Sequence, residues 1–216
     1  MAASFQGRPW NRLLAYFRPA PIDSVDALRT FLQESAAFIA QKCAFDYCRG
    51  KTGLASYALF TERPFLDALE VCRWETFVAV LGDLLLVAEG QFRPYVTPGQ
   101  RPRLRKALVD LFRTILDALP PPTHRADGWG DAVPSCSTRL EAAGLVEPRQ
   151  AWEIADHSAR RLFETLPIHA SMRELDEEVV YGAVRFRMIA ASQELGRRLR
   201  AVELAGRLGD AQNVTL

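Results

Sequence analysis

The sequence predicts an all-α fold, a single-domain bundle of about six to seven helices with a long, largely buried C-terminal helix. Apolar residues recur at helical spacing through most of the 216 residues. No stretch of six residues alternates strictly between apolar and polar side chains, as a half-buried strand would. The prolines lie at the boundaries of the helical runs, where they end one helix or open the next.

Residues 1–22 form a basic and aromatic segment that precedes the helical domain. Within it, WNRLLAYF (10–17) is a short amphipathic stretch, and the prolines that follow it end it. The segment contains no acidic residue, and it lacks the long apolar core of a secretory signal. We therefore expect a cytoplasmic protein. The aromatic side chains of the segment are candidate partner-binding residues: Trp10, Tyr16 and Phe17.

A single helical domain is expected over 23–209, followed by a short tail, 210–216. Asp23 or Ser24 can cap the first helix, because a short polar side chain accepts a hydrogen bond from a free amide of the first turn. The apolar spacing carries this helix to about Arg49. The glycine after that residue can end the helix.

The second long helix, 64–89, has a middle part that is apolar on all sides except at one position. That part, FVAVLGDLLLVA (77–88), contains Asp83 as its single charged residue. Its twelve residues are too few to cross a bilayer, since a membrane-spanning helix takes about 20. An all-round apolar helix of this length belongs in a protein core.

Another amphipathic helix is predicted over 103–119, before a loop at 120–134 that contains four prolines and two glycines. Trp129 stands between the two glycines, and we expect it to be exposed and available to a partner. After two shorter helices, one long helix is expected from Ser171 to about Leu208. Its first half is apolar on nearly every face.

The tripeptide Gly50-Lys51-Thr52 matches the end of a phosphate-binding loop. Such a loop needs an earlier glycine five positions before the second one, between a strand and a helix. Phe45 stands at that position, and the residues before it have helical rather than strand periodicity. We therefore expect no nucleotide to bind here.

Composition and motifs argue against several other functions. The formal net charge of +1 gives no support for nucleic acid as a partner. The four cysteines include no C-x-x-C pair, no Cys/His cluster has zinc-ligand spacing, and no serine-nucleophile motif occurs. We expect neither a metal nor a cofactor. Arginine greatly outnumbers lysine, which we interpret as the mark of a GC-rich bacterial genome.

Asp83 is the first candidate ligand-binding residue, because a carboxylate in an apolar helix must be paired or must lose its charge. Arg185 interrupts the other strongly apolar helix, so we expect the two to form a buried pair near Tyr181. The role of such a pair is structural specificity or the lining of a ligand cavity.

A second candidate cluster combines the end of the first long helix with the start of the next. An antiparallel arrangement could bring these polar residues together as a pocket for a small anionic or acyl ligand. Surface charges at helix ends are the alternative. The residues are Asp46, Tyr47, Arg49, Lys51, Glu70, Arg73, Trp74 and Glu75.

Two functions follow from these observations. The first is a non-enzymatic helical protein that binds a partner protein or a second copy of itself, as an adaptor or assembly factor does. The alternative is a helical enzyme or small-ligand-binding protein, with its site between core helices near Asp83, Tyr181 and Arg185.

Overall fold

The computed structural model of the protein describes residues 19–210, and helix accounts for 78% of that range. Residues 19–210 contain no strand, so the predicted all-α class is confirmed. The helices, in chain order, are α1 (Val25–Thr52), α2 (Ser56–Leu59), α3 (Arg63–Phe92), α4 (Arg101–Asp117), α5 (Ala132–Gly144), α6 (Ala151–Ile154), α7 (Asp156–Thr165), α8 (Ala170–Arg173), α9 (Glu177–Arg198) and α10 (Ala201–Asp210).

The predicted number of six to seven helices is slightly too low. The difference comes from α2, α6 and α8, which have four residues each. Helices this short carry less than two turns of apolar periodicity, so the spacing of side chains cannot reveal them.

Helix α1 begins and ends as local sequence chemistry requires. The Ser24 hydroxyl accepts a hydrogen bond from the Ala27 amide at 3.1 Å, which is the expected N-cap. The helix ends at Thr52, and its C-cap is Gly53 rather than the predicted Gly50. Gly53 has a φ of 52°, a conformation that glycine reaches at little steric cost.

Helix α3 is the central element of the structure. Every residue from Ala79 to Glu89 is buried, as expected for a core helix. Helices α1, α4, α5 and α7 all pack against it. Within the described part of the chain, no helix is long and apolar enough to span a membrane.

A buried ion pair near the end of α3 fixes the end of α5. Arg93 donates to Glu89 Oε2 at 2.5 Å, and both side chains are almost fully buried. Arg93 also donates to the Ala143 carbonyl at 2.9 Å and to the Val146 carbonyl. These carbonyls lie at the end of α5, where no further helical turn supplies donors.

The predicted single C-terminal helix over 171–208 is wrong, because α8, α9 and α10 are separate. The break between α9 and α10 has a tertiary cause. Ile22, which is fully buried, donates to the Arg198 carbonyl at 2.9 Å and accepts from the Arg200 amide at 2.9 Å. Leu199 is consequently extended, and the helix cannot continue through it.

The expectation that the C-terminal helix is largely buried is also wrong for α9. Five of its 22 residues are buried. Several of its apolar side chains point to solvent instead, among them Val179, which is 65% exposed, and Phe186, which is 72% exposed. The apolar residues of this helix therefore form two faces, one against the core and one outside.

Candidate functional site

Buried carboxylates and their charged partners lie along one side of α3. Glu75 and Asp83 are about two helical turns apart there, and their side chains are 7% and 0% exposed. A buried carboxylate without partners would be strongly destabilising. Both residues have several partners, which come from α5, α7 and the 120–134 loop.

Glu75 joins the loop and α7 to α3. Arg125 donates from Nε to Oε1 at 2.8 Å and from Nη2 to Oε2 at 3.2 Å. Arg161 donates to Oε2 from Nε at 3.1 Å and from Nη2 at 2.5 Å, and His124 Nε2 lies 3.1 Å from Oε1. Burial raises the pKa of Glu75, but the arginine hydrogen bonds and charges outweigh it and lower the pKa from 4.5 to about 2. Glu75 is therefore ionised at neutral pH.

Asp83 acts as a capping residue supplied by another helix. Its Oδ2 accepts from the Ser158 amide at 3.0 Å, and Ser158 is the third residue of α7. Ala155, at the N-cap of α7, has no side-chain acceptor of its own. Asp83 Oδ1 also accepts from Arg139 and lies 3.5 Å from His157 Nδ1. These contacts explain why a carboxylate lies inside an otherwise apolar helix segment.

The predicted pair between Asp83 and Arg185 is absent. Arg185 donates instead to Asp156 Oδ1 at 2.8 Å and to Glu178 Oε2 at 3.3 Å, and its guanidinium lies over the Tyr181 ring. Its side chain is 28% exposed, so the apolar sequence around it did not mean burial.

Sequence reasoning missed Arg139, the residue that pairs with Asp83. Arg139 lies in the short helix α5, where one arginine among polar and small residues carries no distinguishing signal. The signal that the sequence did contain is Gly82, the α3 residue against which Arg139 packs. A Cβ atom at Gly82 would lie 3.3 Å from Arg139 Nη1, so the glycine lets the guanidinium rest against the helix.

A cleft of about 290 Å³ opens beside Glu75 and beside Arg139, the partner of Asp83, and we call it the α3 cleft. Its floor is the face of α3 that carries Ala79 and Gly82. The lining side chains are of two kinds, charged ones and apolar ones. The charged and ionisable ones include Arg125, Arg139, His157 and Arg161, and the apolar ones include Val78, Phe112, Trp129 and Ala132.

Trp129 forms a wall of the α3 cleft, and the expectation that it is exposed is wrong. The side chain is 7% exposed. The Arg125 guanidinium lies 5.0 Å from its ring centroid, and the rings of His124 and Trp74 are within 6.1 and 6.4 Å. The 120–134 loop is therefore held against α3 by Glu75 and by this aromatic contact.

The residues of the second predicted cluster do not lie together. The Tyr47 hydroxyl donates to Asp176 at 2.9 Å, and Lys51 Nζ lies 2.5 Å from the same carboxylate. Asp46 accepts from Arg187 at 3.0 Å. These residues face the C-terminal helices and not α3.

The α3 members of that cluster face an earlier part of α1. Arg73 donates to Gln41 Oε1 at 3.2 Å, and Glu70, Arg73 and Trp74 line a separate pocket of about 300 Å³. Because the helices run antiparallel, Gln41 lies opposite Arg73, and the end of α1 lies opposite the start of α3. Arg49 is exposed, and Glu75 belongs to the α3 cleft.

The tripeptide at 50–52 forms part of the last turn of α1. A phosphate-binding loop needs backbone amides that turn inward around the phosphates, and a helical turn does not present them in that way. The ion pair of Lys51 with Asp176 also occupies the lysine that would reach a phosphate.

The second candidate surface is the outer side of α9. Val179, Gly182, Phe186 and Ile189 follow one another at helical spacing, and we call them the α9 face. Val179 and Phe186 are strongly exposed, Ile189 is 36% exposed, and Gly182 has open space around it. The predicted partner-binding residues Trp10, Tyr16 and Phe17 lie outside the described residues.

The described residues offer neither a metal site nor a reactive thiol. No group of three or more His, Cys, Asp or Glu side chains between 19 and 210 is placed to hold a metal ion. All four cysteines are buried and free. Burial raises the pKa of Cys136, which lines the α3 cleft, to about 11, so its thiol is not a nucleophile at neutral pH.

Comparisons of the chain with protein-family models, with curated proteins and with solved structures found no match.

Proposed function

We propose that the protein binds a partner protein, as an adaptor or assembly factor does, and that the α9 face is its contact surface. The observation that carries the proposal is the exposure of Phe186 and Val179 on one side of a 22-residue helix. A single exposed apolar residue is ordinary, whereas a helical row of them is typical of a contact surface.

The spacing of the α9 face suits a helix from the partner. Residues three and four positions apart form ridges that fit between the ridges of another helix. Gly182 lies between the two large apolar residues and lets a partner backbone come close. Two further exposed apolar residues precede α9 in the chain, Leu175, which is 94% exposed, and Met172, which is 51% exposed.

Phe186 is the expected energetic centre of the contact. Full burial of a phenylalanine side chain is worth about 1.5–3 kcal/mol. Its loss should therefore weaken binding by about tenfold or more. The ion pair of Arg185 with Glu178 lies at the edge of the face, where charges affect orientation more than affinity.

The test compares Phe186→Ser with Leu145→Ser, a control that removes an even more exposed apolar residue at the end of α5. Sedimentation velocity measures self-association, and quantitative cross-linking in a lysate of the native host measures binding to another protein. We expect the wild type and the control to form the same stoichiometric complex, and Phe186→Ser to lose it. The proposal would be contradicted if the wild type stayed monomeric and formed no cross-link. It would also be contradicted if the wild type and both variants bound equally well.

A further inference from the structure

We propose that the α3 cleft binds a small organic anion, with one carboxylate or phosphate group and a short apolar body. This inference goes beyond partner binding, because the cleft and the α9 face share no residue. It can therefore hold if the first proposal fails, and the reverse is also true.

The cleft contains hydrogen-bond donors that the protein leaves unused. An arginine side chain carries five N–H groups. Arg139 directs Nη2 to Asp83, and its Nε and Nη1 have no acceptor among the described residues. Arg161 directs Nε and Nη2 to Glu75, while its Nη1 lies 3.7 Å from Glu164, a half-exposed carboxylate. Two guanidinium groups can thus donate to a ligand without leaving their carboxylates.

The two buried carboxylates beside the cleft, by contrast, are in use. Glu75 accepts four hydrogen bonds from two arginines and lies beside His124. Asp83 accepts from Arg139 and from the Ser158 amide. A cation would have to displace these donors, whereas an anion adds acceptors where donors are free. The ligand should therefore be negatively charged.

A further unused donor lies in the wall of the cleft. The Trp129 indole Nε1 is buried and has no acceptor among the described residues. Buried donors of this kind normally have a partner. Among the buried polar atoms of the lining side chains, Trp129 Nε1 is the one without a partner in the described part of the chain, and it is a donor.

The size and lining of the cleft limit the rest of the ligand. Its volume of about 290 Å³ is near the lower end of small-molecule pockets, about 300–1,000 Å³. Phe112, Trp129 and Val78 provide apolar contact beside the arginines. The three lining arginines are balanced by Glu75, Asp83 and Asp131, so hydrogen-bond geometry and not net charge selects the anion.

The experiment titrates the full chain with phenyl phosphate, benzoate and uncharged benzamide by isothermal titration calorimetry. We expect at least one of the anions to bind at millimolar concentration or below, and benzamide to bind at least tenfold more weakly. The two anions separate a phosphate-type ligand from a carboxylate-type ligand. Failure of both anions to bind at millimolar concentration, or equal binding of benzamide, would overturn the proposal.

Two variants and a control place the binding in the α3 cleft. Ser135→Phe puts a ring into the cleft without removing a salt bridge. Thr138→Phe makes the same change at an exposed position of α5 outside the lining. Arg139→Lys keeps a positive partner for Asp83 but loses the planar fork. We expect the first and third variants to weaken anion binding at least tenfold and the control to leave it unchanged. Unchanged binding in Ser135→Phe would refute the site.

Discussion

Replacement of Glu75 by glutamine tests the electrostatic interpretation of the α3 cleft most directly. The variant keeps the shape of the side chain and removes the charge that holds Arg125 and Arg161. The lowering of the Glu75 pKa from 4.5 to about 2 corresponds to about 3 kcal/mol of folding stability at neutral pH. Loss of one partner from a buried pair costs about 3–5 kcal/mol.

The expected loss lies just below that range because the arginines are not themselves fully buried. The Arg125 and Arg161 side chains are 27% and 39% exposed, so water can solvate them once the carboxylate is gone. We expect Glu75→Gln to lower the free energy of unfolding by about 2–3 kcal/mol at pH 7.

The contribution of Glu75 to folding stability should depend on pH in a known direction. The folded-state pKa of Glu75 is depressed, so its contribution is complete above the unfolded-state value of 4.5 and disappears as the pH falls towards 2. Urea unfolding at a series of pH values from 7 to the acid limit of stability measures this change. The difference between the wild type and Glu75→Gln should be largest at neutral pH and should shrink below pH 4.5.

Glu70→Gln is the matched control, because Glu70 lies on the same helix and is exposed. Its effect should be within about 0.5 kcal/mol. A loss below about 1 kcal/mol for Glu75→Gln, or a loss that does not change with pH, would show that the arginine contacts do not stabilise the ionised carboxylate.

Two more predictions concern the other polar residues. In double-mutant cycles of unfolding free energy, Asp83→Leu and Arg139→Met should be coupled by about 1 kcal/mol or more, whereas Asp83→Leu and Arg185→Met should be additive within about 0.5 kcal/mol. The opposite pattern would restore the pair that the sequence suggested. ATP with magnesium at millimolar concentration should not raise the melting temperature, because Lys51 is paired with Asp176 in a helical turn. A rise that Lys51→Ala abolishes would contradict this.

Local sequence was sufficient for the fold class and for the central helix. Apolar spacing is a property of neighbouring residues, so it revealed α1, α3 and α4 without knowledge of the tertiary structure. It also marked Asp83 as unusual, since a lone charge in an apolar helix needs an explanation. Apolar spacing could not identify the hydrogen-bond partners of Asp83, because Arg139 and Ser158 lie in other helices, 56 and 75 positions later in the chain.

The errors have the same origin in long-range contacts. The end of α9 depends on Ile22, which no pattern near Leu199 could indicate. Trp129 between two glycines has the local features of an exposed loop residue, and it is buried because Arg125 and Trp74 pack against its ring. The apolar residues of α9 were expected in the core because composition alone does not distinguish a buried apolar face from an exposed one.

The pairing of Ile22 with the α9–α10 junction makes the helical core almost cyclic. Arg207 in α10 donates to the Asp23 carbonyl at 3.4 Å, across a separation of 184 positions. The cost in chain entropy of closing so large a ring must be met before these contacts form, so we expect the pairing of Ile22 with the junction to form late in folding. Because the two ends of the core meet, a short covalent linker could join them, and new termini could be opened in an exposed segment such as 145–150. A circular permutant of this kind would convert a contact across 184 positions into a local one.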